Sequence, residues 1–228
     1  MVRQNLENIK KRISAICSRA DRDPDKIIIV AVAKNRTQIE IKEAIAAGIS
    51  DIGENRVQEA LLKFPELRAS NFELRTHMVG HLQTNKVKEA LKLFDLIHSV
   101  DSLHLAQEID KQAAKIDKIQ DILIEVKTSP EATKFGLKLA ETIEVTKEIA
   151  KLKNINIKGL MTIAPVVDNP EKSRPYFRML RELRDKINEL QTTPYELRTL
   201  SMGMTDDFEV AIEEGADMIR LGRAIFEP

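Results

Sequence analysis

What this chain of 228 residues lacks narrows the field before any motif is read. It has no excess of charge of either sign, since 36 Lys plus Arg face 36 Asp plus Glu. Proteins that bind nucleic acid or anionic membrane carry a basic face, so neither nucleic acid nor membrane is an expected partner. Cysteine is nearly absent. The single thiol, Cys17, has no internal disulfide partner, and no CxxC pair frames a zinc ribbon, which fits a reducing cytoplasm. No run approaches the roughly eighteen apolar residues of a membrane span. The charged opening MVRQNLENIKKRISAICSRADRD has neither an apolar signal region nor a small-residue cleavage site. No linker rich in Pro, Gly or Ser and no low-complexity tract divides the chain, so one domain over residues 1–228 is expected, and the balanced surface without an extra arm points to a monomer.

What is present is an alternation. Leu6, Ile9, Ile13, Ile16 and Cys17 make an apolar stripe at helical spacing on an otherwise polar N-terminal helix. Residues 27–33 (IIIVAVA) follow as a continuous β-branched run, the pattern of a strand buried on both faces in a parallel sheet. Further strands are predicted at 50–53, 73–79, 96–100, 122–126, 157–163, 197–200 and 218–221. Helices are predicted at 38–47, 56–63, 85–93, 103–114, 139–152, 171–190 and 208–213. Eight strands at about 28 residues per unit approach the ~30 of a βαβ module. No GxGxxG follows the first strand, which favours a single (β/α)8 barrel of the TIM type with an extra N-terminal helix over an open doubly wound sheet.

In such a barrel the chemistry lies at the carboxyl ends of the strands. The first strand delivers Lys34. Partial desolvation at the rim and neighbouring cations would free this amine to act as a Schiff-base nucleophile; a solvated loop lysine is the other reading. The last two strands deliver glycine turns, Leu200-Ser201-Met202-Gly203-Met204 and Arg220-Leu221-Gly222-Arg223-Ala224. Loops seven and eight are where this architecture holds phosphate, through close backbone N–H groups, with Ser201 as a hydroxyl donor and Arg220 or Arg223 as charge. Two turns that merely close a barrel are the plainer alternative. His77 and His81 stand four apart on a strand without the intervening Glu of HExxH, which speaks against metal. His81 fits a place beside a ligand, and His77 is equally well a satisfied core histidine. His98 and His104 flank strand four with no evident partner and are read as structural. Asn55 either caps the next helix or turns its amide to a ligand. The polar loop 127–136, with Lys134 and Gly136 at its exit, is a solvated loop or a lid.

An amine after strand one and a phosphate site after strands seven and eight suit a ligand with both an aldehyde and a phosphate, and pyridoxal 5′-phosphate is such a ligand. The chain also resembles the pyridoxal phosphate homeostasis proteins, whose barrel is similar to the cofactor domain of alanine racemases and fungal-type D-threonine aldolases. Val-Ala-Lys34, Gly53-Glu-Asn55, His77-Met-Val-Gly-His81-Leu-Gln-Thr-Asn-Lys86, Lys134-Phe-Gly136, Gly159-Leu-Met161, Leu200-Ser-Met-Gly203-Met and Arg220-Leu-Gly222-Arg-Ala-Ile-Phe226 carry the resemblance over essentially the full length. It implies that Lys34 holds the cofactor as an internal aldimine. It further implies that Ser201, Gly203, Gly222 and Arg223 hold the phosphate loops, that Arg220 faces the pyridine nitrogen, and that Asn55, His81 and Met161 line the ring. Ala33 replaces a common serine, Arg223 a common small hydroxyl residue, and the chain stops at Glu227-Pro228 where the family usually continues with glycine.

Racemisation needs a base on each face of the cofactor, and only Lys34 is evident here, with no second β-rich domain in the 228 residues to bring another. An arginine at the pyridine nitrogen also keeps that nitrogen unprotonated and the ring a poor electron sink. The expected function is therefore cofactor binding, homeostasis and delivery to apo-enzymes without robust turnover, Lys134 being a candidate second amine for transfer. The alternative is a weak Schiff-base enzyme, either an amino-acid racemase or a phosphosugar aldolase.

Overall fold

The computed structural model describes residues 1–69, 73–131, 134–194 and 196–228. In chain order the strands are β1 (Ile28–Val32), β2 (Asp51–Glu54), β3 (Arg75–Met78), β4 (Leu96–Val100), β5 (Gln120–Lys127), β6 (Leu137–Lys138), β7 (Ile155–Met161), β8 (Thr199–Ser201) and β9 (Met218–Leu221). All pair in parallel. Hydrogen bonding runs from β1 through β2, β3, β4, β5, β7 and β8 to β9, and β9 returns to β1, so eight strands close a barrel. The two-residue β6 lies beside the end of β5 and takes no place in the ring.

Around the barrel lie α1 (Val2–Arg19), α2 (Gln38–Ala46), α3 (Val57–Ala69), α4 (Val87–Leu93), α5 (Leu103–Ala114), α6 (Leu139–Ile149), α7 (Arg174–Glu189), α8 (Phe208–Glu213) and α9 (Arg223–Phe226). The stripe on α1 is buried as its spacing requires, against α8, α9 and α2, and Asn5 ties it to the chain's end by donating to the carbonyls of Ile225 and Glu227. Thr37 and Glu40 form a reciprocal capping box that starts α2 immediately beyond Lys34. The main core fills the layer between strands and helices. There Phe64 and Phe94 meet edge to face at 5.6 Å, an arrangement worth ~1 kcal/mol beyond the area it buries. A smaller cluster of Leu96, Leu123, Met161 and Met218 fills part of the barrel itself.

Every predicted strand is present within about two residues. Prediction ends α3 at residue 63, but the helix continues through Pro65 to Ala69. The bond lost is one to the Leu61 carbonyl, on a residue that is exposed, where water replaces it. The predicted helix 171–190 begins as a 3-10 turn, Pro170–Ser173, and that at 85–93 as another, Thr84–Lys86. The four-residue α9 has too little periodicity to be read from sequence.

Candidate functional site

Lys34 follows β1 in a tight turn whose next residue, Asn35, has φ +58°. The side chain is exposed and makes no hydrogen bond or ion pair with the described residues, so the rim is more open there than the desolvated position expected from sequence. The turn is braced from below. The Lys63 ammonium donates to the carbonyl of Ala33 (2.8 Å), to the buried Glu54 carboxylate (2.6 Å) and to Glu59 (3.2 Å), while Glu59 accepts from the Asn35 N–H (3.3 Å). Both peptide groups flanking Lys34 are thereby fixed by one cluster. Burial pushes the Glu54 carboxyl up in pKa, against the opposing effect of Lys63. Sequence reading missed Glu54, Glu59 and Lys63; the visible signal was Glu54 at a strand end where an apolar or small residue would serve packing.

The β9–α9 loop lies beside this turn, since β9 pairs with β1. A side chain added at Gly222 would meet only Val32, its O at 3.7 Å and its Cβ at 3.8 Å, which is ordinary contact. No packing inside the protein demands a glycine there, and the space it leaves is a cradle of the kind a phosphate occupies. Gly203 is different. Its φ is +91°, and a Cβ would lie 2.5 Å from the Cβ of Ala211 and 3.0 Å from the Cα of Phe208, so this glycine serves the seating of α8. Arg223 is exposed and paired with Asp206, which holds its charge away from the cradle.

Ser201 and Arg220 are buried in the barrel. Arg220 donates to Ser201 Oγ (2.6 Å) and to the carbonyl of Thr162 (2.8 Å). Ser201 Oγ also bonds His98 Nδ1 (2.9 Å); His98 Nε2 meets His77 Nδ1 (2.9 Å), and His77 Nε2 meets Asp51 Oδ1 (3.0 Å). This revises one expectation, since His98 has partners on both ring nitrogens. The Ser201 hydroxyl bonds both Arg220 and His98. His77 is the satisfied core histidine that the sequence allowed. Burial, with His77 and Arg220 beside it, drives His98 well below the usual imidazole range, so this ring is neutral. Burial also lowers Arg220 to about 10, against the pull of Asp207 and Glu125, and leaves it charged. Asp51 is pushed up by burial but more strongly down by bonds from His77 and Ser50 and by Arg75, and so stays ionised.

At the rim, His81 and His77 diverge rather than converge on one point. His81 stacks on Phe135 (3.8 Å between centroids, 12° between planes) and pairs with Asp101 (3.2 Å). That contact draws the exit of the 127–136 loop toward the mouth; Lys134, next to Phe135, is half-buried, and residues 132–133 of the loop lie outside the described residues. Asn55 does not cap α3, which starts two residues later at Val57, and its amide has no partner among the described residues. The close approach of Gly80, whose Cβ would stand 2.4 Å from the Asn55 carbonyl, holds that segment in place. Met161, expected to line a ligand, is buried with Leu123 and Met218. His104 is exposed on α5. Sequence reading also missed Glu125, 5 % exposed on β5, in register with Met161. Burial and the nearby Asp101 carboxylate raise it to about 7, against the effect of Arg220.

Residues 4–227 match the family model "Alanine racemase, N-terminal domain". The pyridoxal phosphate homeostasis protein of Aquifex aeolicus is 43% identical over 223 residues, which cover 98% of this chain and 96% of that protein. Among solved structures, PipY of Synechococcus elongatus PCC7942 with PLP bound superposes with a TM-score of 0.87 at 32% identity, over 99% of this chain and 100% of that one. The alanine racemase of Clostridium difficile 630 shares the fold alone, with a TM-score of 0.75 at 19% identity over 98% of this chain and 56% of its own. A family model matched over residues 4–227 and relatives matched end to end agree: the chain belongs to the family of pyridoxal phosphate homeostasis proteins.

Proposed function

We propose that this protein holds pyridoxal 5′-phosphate at the barrel mouth as a Schiff base on Lys34, and that it acts in intracellular cofactor homeostasis and delivery without robust catalytic turnover. The observation that carries the reading is the pairing of an unpartnered amine with the Gly222 cradle next to it. When bound, the cofactor supplies an aldehyde. The Lys34 amine would be the nucleophile toward that aldehyde. Gly222 and the backbone at Arg223 take the phosphate, with Arg223 free to join once it leaves Asp206. Arg220, its charge retained, would lie toward the pyridine nitrogen, where it would disfavour protonation of that nitrogen and weaken the ring as an electron sink. Asn55 and His81 would line the ring. Lys134, brought toward the mouth by the Phe135–His81 stack, is the candidate amine for handing the cofactor on.

The homeostasis names of the relatives support a carrier over an enzyme. One observation favours the alternative of a weak Schiff-base enzyme, namely Glu125, a carboxyl in the barrel wall whose proton affinity suits acid–base exchange near neutrality. Incubating the loaded protein with L- and D-alanine, serine and threonine, and separately with an apo-transaminase, tests the two. Delivery to the transaminase with no amino-acid turnover is expected. Steady turnover at ~1 s⁻¹ or more would replace the carrier reading with the enzyme.

A further inference from the structure

The five side chains linked beneath the mouth form one continuous path through the barrel. Asp51 opens β2 at the floor, Ser201 ends β8 at the mouth, and all five members are at least 95% buried. One proton on each ring gives the path a single direction. Arg220 donates to Ser201, Ser201 to His98 Nδ1, His98 Nε2–H to His77 Nδ1, and His77 Nε2–H to the Asp51 carboxylate. Every donor meets an acceptor, from a guanidinium at one end to a carboxylate at the other. Asp51 is itself fixed by Ser50 (2.6 Å) and Arg75 (3.0 Å).

Packing does not explain such a path. Apolar side chains of the same volume would fill the space as well, because paired buried polar groups repay little more than their desolvation. What apolar groups could not do is fix a rotor. The Ser201 hydroxyl turns freely about its C–O bond, and a guanidinium on a long side chain has many orientations; an acceptor at His98 removes the first freedom and, through Ser201, the second.

We propose that His98 and His77 are positioning residues of the cofactor site, holding the Ser201 hydroxyl and through it the Arg220 guanidinium in one orientation, with Asp51 as their anchor on the barrel floor. This rests on the reading that Arg220 meets the pyridine ring. His98 touches no ligand and acts only through Ser201.

The test compares three substitutions at one position. In His98→Asn, Oδ1 stands near the place of Nδ1 and still accepts from Ser201, although the link to His77 is lost. In His98→Gln the amide reaches toward His77, and Ser201 loses its acceptor. His98→Leu removes both. Loaded with pyridoxal phosphate, the Gln and Leu variants are expected to show a shifted visible band and roughly tenfold faster release, while Asn, which keeps the acceptor for Ser201 but loses the anchor at His77, falls between them and the unaltered protein. Ser201→Ala, which deletes only a hydroxyl, is read alongside in case His98→Leu does not fold, and is expected to behave as the Gln variant does. Nitrogen-15 NMR of the cofactor-free protein is expected to find protons on Nε2 of both rings. An unaltered protein that never develops a band would overturn the cofactor reading and this inference with it. A normal band whose position and release rate are unmoved in Gln, Leu and Ser201→Ala, or a proton on His98 Nδ1, would overturn this inference alone.

Discussion

The two ends of the barrel treat their polar groups in opposite ways. At the floor, charges are matched: Arg75 pairs with Asp51, Lys158 with Asp121, Arg68 with Asp95, and Arg22 with Asp217. A cleft of about 230 Å³ opens among several of these residues, yet its cations already have carboxylates. At the mouth, Lys34 and the Asn55 amide have no partner among the described residues, Gly222 leaves room that packing does not need, and Glu125 sits buried with a raised proton affinity. The candidate site is found where the described residues leave chemistry unsatisfied. A floor of matched pairs is what a stable scaffold requires.

The largest effect that sharpens this contrast is expected at Lys34. Lys34→Ala should abolish the visible band of the loaded protein and change stability by no more than ~0.5 kcal/mol, since the side chain is exposed and makes no hydrogen bond or ion pair with the described residues. Absorbance and thermal melts read on the same sample check both halves. A band that persists through another lysine would move the site.

The two glycine turns separate next. Gly203→Val should cost about 3 kcal/mol or more, because it forces a β-branched residue to positive φ and into Ala211 and Phe208. Gly222→Val should leave the melt nearly unchanged and weaken pyridoxal phosphate at least about tenfold relative to unphosphorylated pyridoxal. Equal losses for the two ligands would remove the phosphate from that cradle.

Glu125 gives a pH test on the cofactor-free protein. Its folded pKa of about 7 lies above the ordinary 4.5, so the stability tied to its proton is full below about 4.5 and is lost as pH rises through 7. Glu125→Gln should therefore flatten the decline in stability between pH 5 and 8, which at this shift amounts to about 3 kcal/mol. Denaturant midpoints of both proteins across that range decide it; parallel curves would mean that Glu125 ionises freely. The smallest effect belongs to the floor. Lys158→Ala breaks a half-exposed pair and should cost less than ~0.5 kcal/mol, with binding unchanged by titration.

Most of the fold was legible in the sequence because parallel strands buried on both faces leave continuous runs such as 28–32, and because glycine and caps punctuate the helices. The candidate site was legible where one residue follows one strand, as with Lys34 after β1 and Gly222 after β9. It was not legible where function depends on which way a side chain turns inside the barrel. His98 looked solitary because its partners are 21 and 103 positions away, and nothing local to Ser201 tells that Arg220 bonds it. The face that Met161 presents is likewise set by barrel register rather than by its neighbours in sequence.

The account stands most directly on the amine that receives the cofactor. Borohydride reduction of the protein loaded with pyridoxal phosphate, followed by peptide mass mapping, would convert a Schiff base into a permanent tag. The tag is predicted on the peptide that contains Lys34, in near one-to-one yield, and absent from the rest of the chain. A tag found chiefly on Lys134 or any other lysine, or no tag at all, would contradict it.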